Sequence, residues 1–158
     1  MNFLKSFGLM VVALVLQQTV IRIISIGDVR PDLLLITLVA ISLRYGCVIG
    51  LYSGFLIGMV QDVYAVESLG ANVLAKSIVG YCVGLLDEKV LKIMPATKVF
   101  FLAGAFVLHD LLYYSAAGFK LSHMGYLFLH VTIPSAIYTL LVGALVFYFF
   151  VVPAKNEA

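Results

Sequence analysis

The sequence predicts an all-α integral membrane protein, with about six transmembrane helices in one compact bundle. Three observations predict it. Of the 158 residues, 63% are hydrophobic and only 11% are charged, whereas soluble domains carry about 25% charged residues. The mean hydropathy is +1.13. The apolar runs are long and lack the period-two alternation of barrel strands, which leaves helices as the spanning element. At ~20 residues per span, this length holds five or six helices and no soluble lobe.

The first span is expected over 3–24. Lys5 ahead of the apolar run Phe7–Leu16 resembles a signal peptide. Gln17, Gln18 and Arg22 follow in place of a small-residue cleavage site, so the reading is a retained helix. The second span, 32–44, opens at Pro31, a residue suited to a helix start. Its apolar stretch LLLITLVAISL is about 16 Å long at 1.5 Å per residue, short of ~30 Å of hydrocarbon. It must borrow flanking residues, tilt little, or stop short of crossing. Fused with the next segment into one tilted rod it would give five spans, although Arg44-Tyr45-Gly46 argues for a break. The third span, 46–60, carries Gly46, Gly50, Gly54 and Gly58, and the next step of four lands on Asp62. The fourth, 70–86, contains Lys76 and Gly80-x-x-x-Gly84. The charged loop DEKVLKIMPATK follows it. The fifth, 99–117, holds His109 and Asp110, and the sixth, 125–152, is closed by Pro153.

Charge orients this bundle. With six spans and the N-terminus inside, Lys5, Arg44, Lys89, Lys92, Lys98 and Lys155 lie on the cytoplasmic side, and Arg22, Arg30 and Lys120 outside. The excess of basic residues inside places both termini in the cytoplasm.

Glycines at every fourth position drift by about 40° per step around a 3.6-residue helix, so the row forms a slanting groove. In lipid such a groove admits another helix at close range. Two occupants are open: the chain's own fourth span, through Gly80 and Gly84, or a helix of another protein.

Asp62, Lys76 and Asp110 sit where a charge costs at least ~2.5 kcal/mol. Asp62 and Lys76 lie on consecutive antiparallel spans, and a pair between them would offset that cost; alternatively Asp62 is hydrated at the outer interface. His109-Asp110 and His130 allow a proton-relay or ligand reading beside a structural one. Cys47 and Cys82 both fall in apolar runs and read as small packing residues. The sequence has no HExxH, GxSxG, P-loop or CxxC motif, and no pairing of carboxylates and histidine at metal spacing. No enzyme, cofactor, metal or nucleic-acid partner is expected.

RPDLLLITLVAISLRYG from Arg30 and GLYSGFLIGMVQDVYAVESLGANVLAKSIVGYCVGLLDEKV from Gly50 resemble the MreD family. The shared features are Pro31-Asp32-Leu33 opening the second span, a glycine-rich third span ending in Asp62, Leu69-Gly70 opening the fourth, and Gly80-Tyr81-x-x-Gly84. The pattern runs from Arg30 to Glu88; outside it the match is one of hydropathy and position. The resemblance implies a non-catalytic scaffold of the bacterial rod (elongation) complex in the inner membrane, supporting peptidoglycan synthesis and cell shape. The direct partner it implies is an MreC-like single-span protein, with MreB, a RodA-type glycosyltransferase and a penicillin-binding transpeptidase in the wider complex. The family fold is similar to the substrate-binding subunits of ECF vitamin transporters, so substrate capture for a small-molecule transporter is the alternative function.

Overall fold

The computed structural model describes residues 31–65, 68–86, 95–118 and 125–146, together with Gly8, Val12, Val15 and Gln17, which are helical. Most of the first span, the loop bearing Lys89 and Lys92, Lys120, and the tail with Pro153 and Lys155 lie outside the described residues. The principal helices are α1 (Leu33–Tyr45), α2 (Cys47–Tyr64), α3 (Ala71–Gly84), α4 (Pro95–Ala116) and α5 (Ile133–Val146), with a π-helical turn at Phe128–Thr132 ahead of α5.

The shortest apolar stretch forms the centre of the bundle. Nine of the thirteen residues of α1 are buried, from Leu34 to Leu43, and α2, α3, α4 and α5 all pack against it. A helix apolar on every side is stable only when enclosed. Enclosure also resolves its length: a helix whose ends meet protein need not match the hydrocarbon thickness. Its two aliphatic hydroxyls are satisfied within the helix, Thr37 on the Leu33 carbonyl and Ser42 on that of Leu38. Asp32 caps the N-terminus, its Oδ1 accepting from Leu35 N at 2.9 Å.

α1 and α2 are separate helices, not one rod. Gly46, at φ +85°, adopts a left-handed backbone that an L side chain disfavours, and its N–H closes α1 on the Ser42 carbonyl. The chain then folds back so that the Ser42 hydroxyl lies against Gly50. In a continuous helix those residues would be about 12 Å apart along the axis. Gly46 therefore serves the turn and not the packing row: a Cβ there would meet nothing within 4 Å.

The remaining glycines of the row meet the chain's own α3. A Cβ on Gly50 would collide with the Gly80 carbonyl, one on Gly54 with the Lys76 backbone, and one on Gly58 with Asn72 and Val73. In return, a Cβ added to Gly80 or Gly84 would fall within 3.0 Å of the backbone of Gly50 or Cys47. As residue numbers rise along α2 they fall along α3, the signature of an antiparallel pair. The groove is thus filled from within, by backbone against backbone, as small-residue rows allow in lipid.

Among the described residues, three helices are long and apolar enough to cross a membrane: Cys47–Tyr64, Val99–Ala116 and Gly125–Ala144. The face of α2 opposite its glycines exposes Val48, Tyr52, Phe55, Met59 and Val63; an apolar face of this extent suits lipid contact. The last of the three spans includes the π turn. Pro134 has no N–H for the carbonyl of residue 130, and the helix widens just before it.

Substituting Gly54 with leucine should abolish the α2–α3 contact, costing about 3 kcal/mol or more, since overpacking of this size forces the backbones apart. Gly104→Ala, where an added Cβ meets nothing within 4 Å, should stay within ~1 kcal/mol of the parent. Thermal unfolding in detergent micelles checks both; equal midpoints for the two variants would refute the close packing.

Candidate functional site

One lysine has no exposed surface at all. Lys76 lies on the side of α3 turned toward the bundle, at 0% exposure, the largest fully buried side chain among the described residues. Its Nζ donates to Asp32 Oδ2 at 2.7 Å, an ion pair across α3 and the start of α1. It also lies 3.2 Å from His109 Nε2 on α4. An ammonium can only donate, so Nε2 is the acceptor and the ring proton sits on Nδ1. From there it is donated to Asp110 Oδ1 at 3.1 Å. The order Asp32, Lys76, His109, Asp110 forms one connected chain of polar contacts.

Other helices close around this chain. Asp32 N donates to Thr139 Oγ1 of α5 at 3.1 Å. Gln17 receives Leu33 N at 2.9 Å and donates to the Pro31 carbonyl at 3.3 Å. Polar groups from the first span and from α1, α3, α4 and α5 therefore converge on the N-terminus of α1.

Above the chain lies an open cavity of about 320 Å³. Asp32, His109 and Asp110 form its polar floor, with Gln17 and Pro31 to one side. Its aromatic wall is Phe106, Tyr113 and Tyr114 of α4, and Val131 and Ser135 complete it from the last span. Asn72, in the first turn of α3, places the cavity at the end of the bundle where α2 ends, α3 begins and α4 ends. A hydrogen bond between Ser68 and the Tyr113 hydroxyl, 3.0 Å, ties the α2–α3 loop to this rim.

Asp62 does not pair with Lys76, as the sequence had suggested. It turns to the loop that follows it. Its carboxylate accepts from Gly70 N (2.9 Å), Asn72 N (3.2 Å), Val73 N (3.1 Å) and Asn72 Nδ2 (2.9 Å). Three of the N–H groups at the start of α3 are met by one side chain, an anion at the positive end of a helix dipole. Gly70, at φ +90°, makes the bend that presents them. Local capping outcompetes the more distant lysine because four short hydrogen bonds form at little loop cost. Asp62 is hence buried, at 4% exposure, and not hydrated at a surface.

His130 also stands apart. It is exposed in the π turn, stacked on Tyr126 with ring centroids 4.3 Å apart, and its Nδ1 lies 3.2 Å from the Tyr126 carbonyl. Arg44 is exposed in the last turn of α1, over the Tyr45 ring. Of the polar residues singled out in the spans, the fold brings together Lys76, His109 and Asp110 and leaves out Asp62 and His130. Pro31-Asp32, read from sequence as a helix start, supplies that start and the counter-ion as well. Ser135 and Thr139 went unnoticed; with Thr132 they make a buried polar stripe at helical spacing on the last span, a signal the sequence contains.

The model of the rod shape-determining protein MreD family matches residues 1–153. The chain belongs to the MreD family. No curated protein and no solved structure matches it. As an MreD-family protein it is a rod shape-determining integral membrane protein, in a family of structural proteins and not of known enzymes. In this family member the site is a polar cavity over a buried ion pair.

Two outcomes test this geometry. Lys76→Met should cost ~3–5 kcal/mol, because it strands the Asp32 carboxylate in the interior. Adding Asp32→Asn, which still caps α1, should recover part of that loss, giving strong non-additivity in a double-mutant cycle of thermal midpoints. Asp62→Ala should lower stability by about 2 kcal/mol or more, through the loss of a helix cap and the stranding of several donors; a neutral effect would contradict the capping role.

Proposed function

We propose that this protein is a non-catalytic scaffold of the bacterial cell-elongation complex that holds an MreC-like single-span partner directly. Through that partner it serves the MreB, RodA-type glycosyltransferase and penicillin-binding transpeptidase assembly, and so lateral peptidoglycan synthesis. The protein spans the inner membrane about six times, with both termini in the cytoplasm. Family membership over residues 1–153 is the observation that carries the reading.

The geometry bears on where such a partner would be held. The glycine groove is occupied by α3, so it offers no room for a foreign helix. The cavity at the Asp62 end, bounded by Asp110, Tyr114 and Ser135, is the concave site with convergent polar groups, the kind of feature binding sites use. On the proposed topology this end faces outward, the side on which a partner leads toward the cell wall.

A second reading draws on the same cavity: substrate capture for an ECF-type small-molecule transporter. A small molecule co-purifying in stoichiometric amount would favour it. For the scaffold, the full chain should co-purify with the MreC-like protein of the same cell. Val131→Trp, which fills the cavity from its rim, should weaken recovery about tenfold or more, equivalent to at least ~1.4 kcal/mol. Tyr52→Ala on the lipid-facing side of α2 should leave recovery unchanged. Loss of the gene should round the cells; rod shape without the gene, and no association between the purified proteins, would sink the scaffold reading.

A further inference from the structure

Among the described residues, the charges beneath the cavity do not cancel. Lys76 and Asp32 neutralise one another at 2.7 Å. His109 accepts from Lys76 through Nε2 and donates through Nδ1, the pattern of a neutral imidazole. That leaves the Asp110 carboxylate with a hydrogen bond from an uncharged ring as its contact here. Among the described residues no lysine or arginine forms an ion pair with it. Asp110 is nonetheless buried to 9% exposure, where an uncompensated carboxylate is costly.

Phe106, Tyr113 and Tyr114 flank this carboxylate on the same face of α4, at i−4, i+3 and i+4. All three line the same cavity as Asp110. Ring faces attract cations, and more so where water is thin. A carboxylate flanked by aromatic rings is a combination by which proteins hold an ammonium or guanidinium group. The volume, about 320 Å³, corresponds to roughly ten water molecules at ~30 Å³ each, room for such a group and its alkyl stem.

We propose that the cavity is a cation-accepting site in which Asp110, backed by the rings of Phe106, Tyr113 and Tyr114, receives one lysine or arginine side chain of the partner. This rests on the scaffold role proposed above and names the chemistry of its contact. Entry of the cation removes the net negative charge left by the Asp32–Lys76–His109–Asp110 chain. The neutral histidine transmits nothing covalent; it orients the Asp110 carboxylate toward the cavity. The buried Lys76 serves as the internal counterpart of the arriving charge, already paired and so unable to satisfy Asp110 itself.

The test has two arms. In the first, binding of the full-length MreC-like partner to the purified full chain is compared for the parent, Asp110→Asn and Asp110→Glu. Asp110→Asn retains an oxygen for the His109 N–H and removes the charge; it should weaken binding about tenfold or more, as truncating one side of a buried charge pair does. Asp110→Glu should retain most of the affinity. A scan of partner Lys and Arg residues to Gln should reveal one whose loss is non-additive with Asp110→Asn. In the second arm, the chain alone is probed with ethylguanidinium and its uncharged isostere N-ethylurea, at matched ionic strength. The cation should raise the thermal midpoint saturably in the parent and not in Asp110→Asn, and the urea should do neither. If the partner binds parent and Asp110→Asn equally, the cation site is overturned and the scaffold stands. If the parent fails to bind the partner at all, the scaffold reading fails, and the proposal that the cation comes from a partner fails with it; the probe arm then reports whether the cavity takes a cation from another source. Coupling of Asp110→Asn to Arg22→Gln or Arg30→Gln in thermal stability would also overturn it, because this chain's own arginine would then fill the site.

Discussion

An ammonium group with no exposed surface must be met by a carboxylate, or it will not stay charged in the interior of a membrane protein. Lys76 meets that condition through Asp32 at 2.7 Å, and much of the structure is arranged around the encounter. Asp32 stands at the N-terminus of α1, so the ion pair fixes the central helix to α3. The same carboxylate caps α1 through its other oxygen, so helix start and counter-ion are one residue. His109 brings α4 to the pair and Thr139 brings α5. Removing one partner from such a site typically costs several kcal/mol, whereas the intact pair stabilises less than its proximity suggests. Its contribution is therefore mainly specificity of arrangement: α1, α3, α4 and α5 have one register in which all of these groups are satisfied.

That register is made possible by glycine. Gly54 lies against the backbone of Lys76 itself. α3 approaches α2 with no side chain between them, and the lysine side chain is left to point the other way, into the bundle. Gly50 and Gly58 repeat the contact one turn to either side. The outward face of α2 is then free to be apolar and lipid-facing. Packing by small residues on one face and solvation by lipid on the other divide the helix cleanly, which a soluble helix does by polarity.

The cavity follows from the same arrangement. With Lys76 paired to Asp32, no lysine or arginine among the described residues is left to pair with Asp110, which lines the space at the α2–α3 end of the bundle together with Phe106, Tyr113 and Tyr114. On the scaffold role proposed above, this is the place where another chain would be held. The ion-pair core supplies the rigidity, and the rim tied by Ser68 and Tyr113 keeps the shape of the opening.

Composition and hydropathy by themselves determined that the chain is helical and lives in a membrane, because only helices and closed barrels satisfy the backbone in lipid and the long apolar runs lack a barrel's alternation. The four-residue glycine period determined that two helices would touch backbone to backbone, and the order of short motifs was enough to point to the MreD family. The sequence left open what filled the groove, whether α1 and α2 were one rod, and which charge answered Lys76. Only the tertiary structure decided these. The hydrogen-bonding reach of a carboxylate is local: Asp62 found N–H groups eight to eleven residues away, while the lysine's partner lay 44 residues back. Periodicity tells which side of a helix is polar. Which two polar sides meet depends on how helices cross and at what height, and that information resides in the packing.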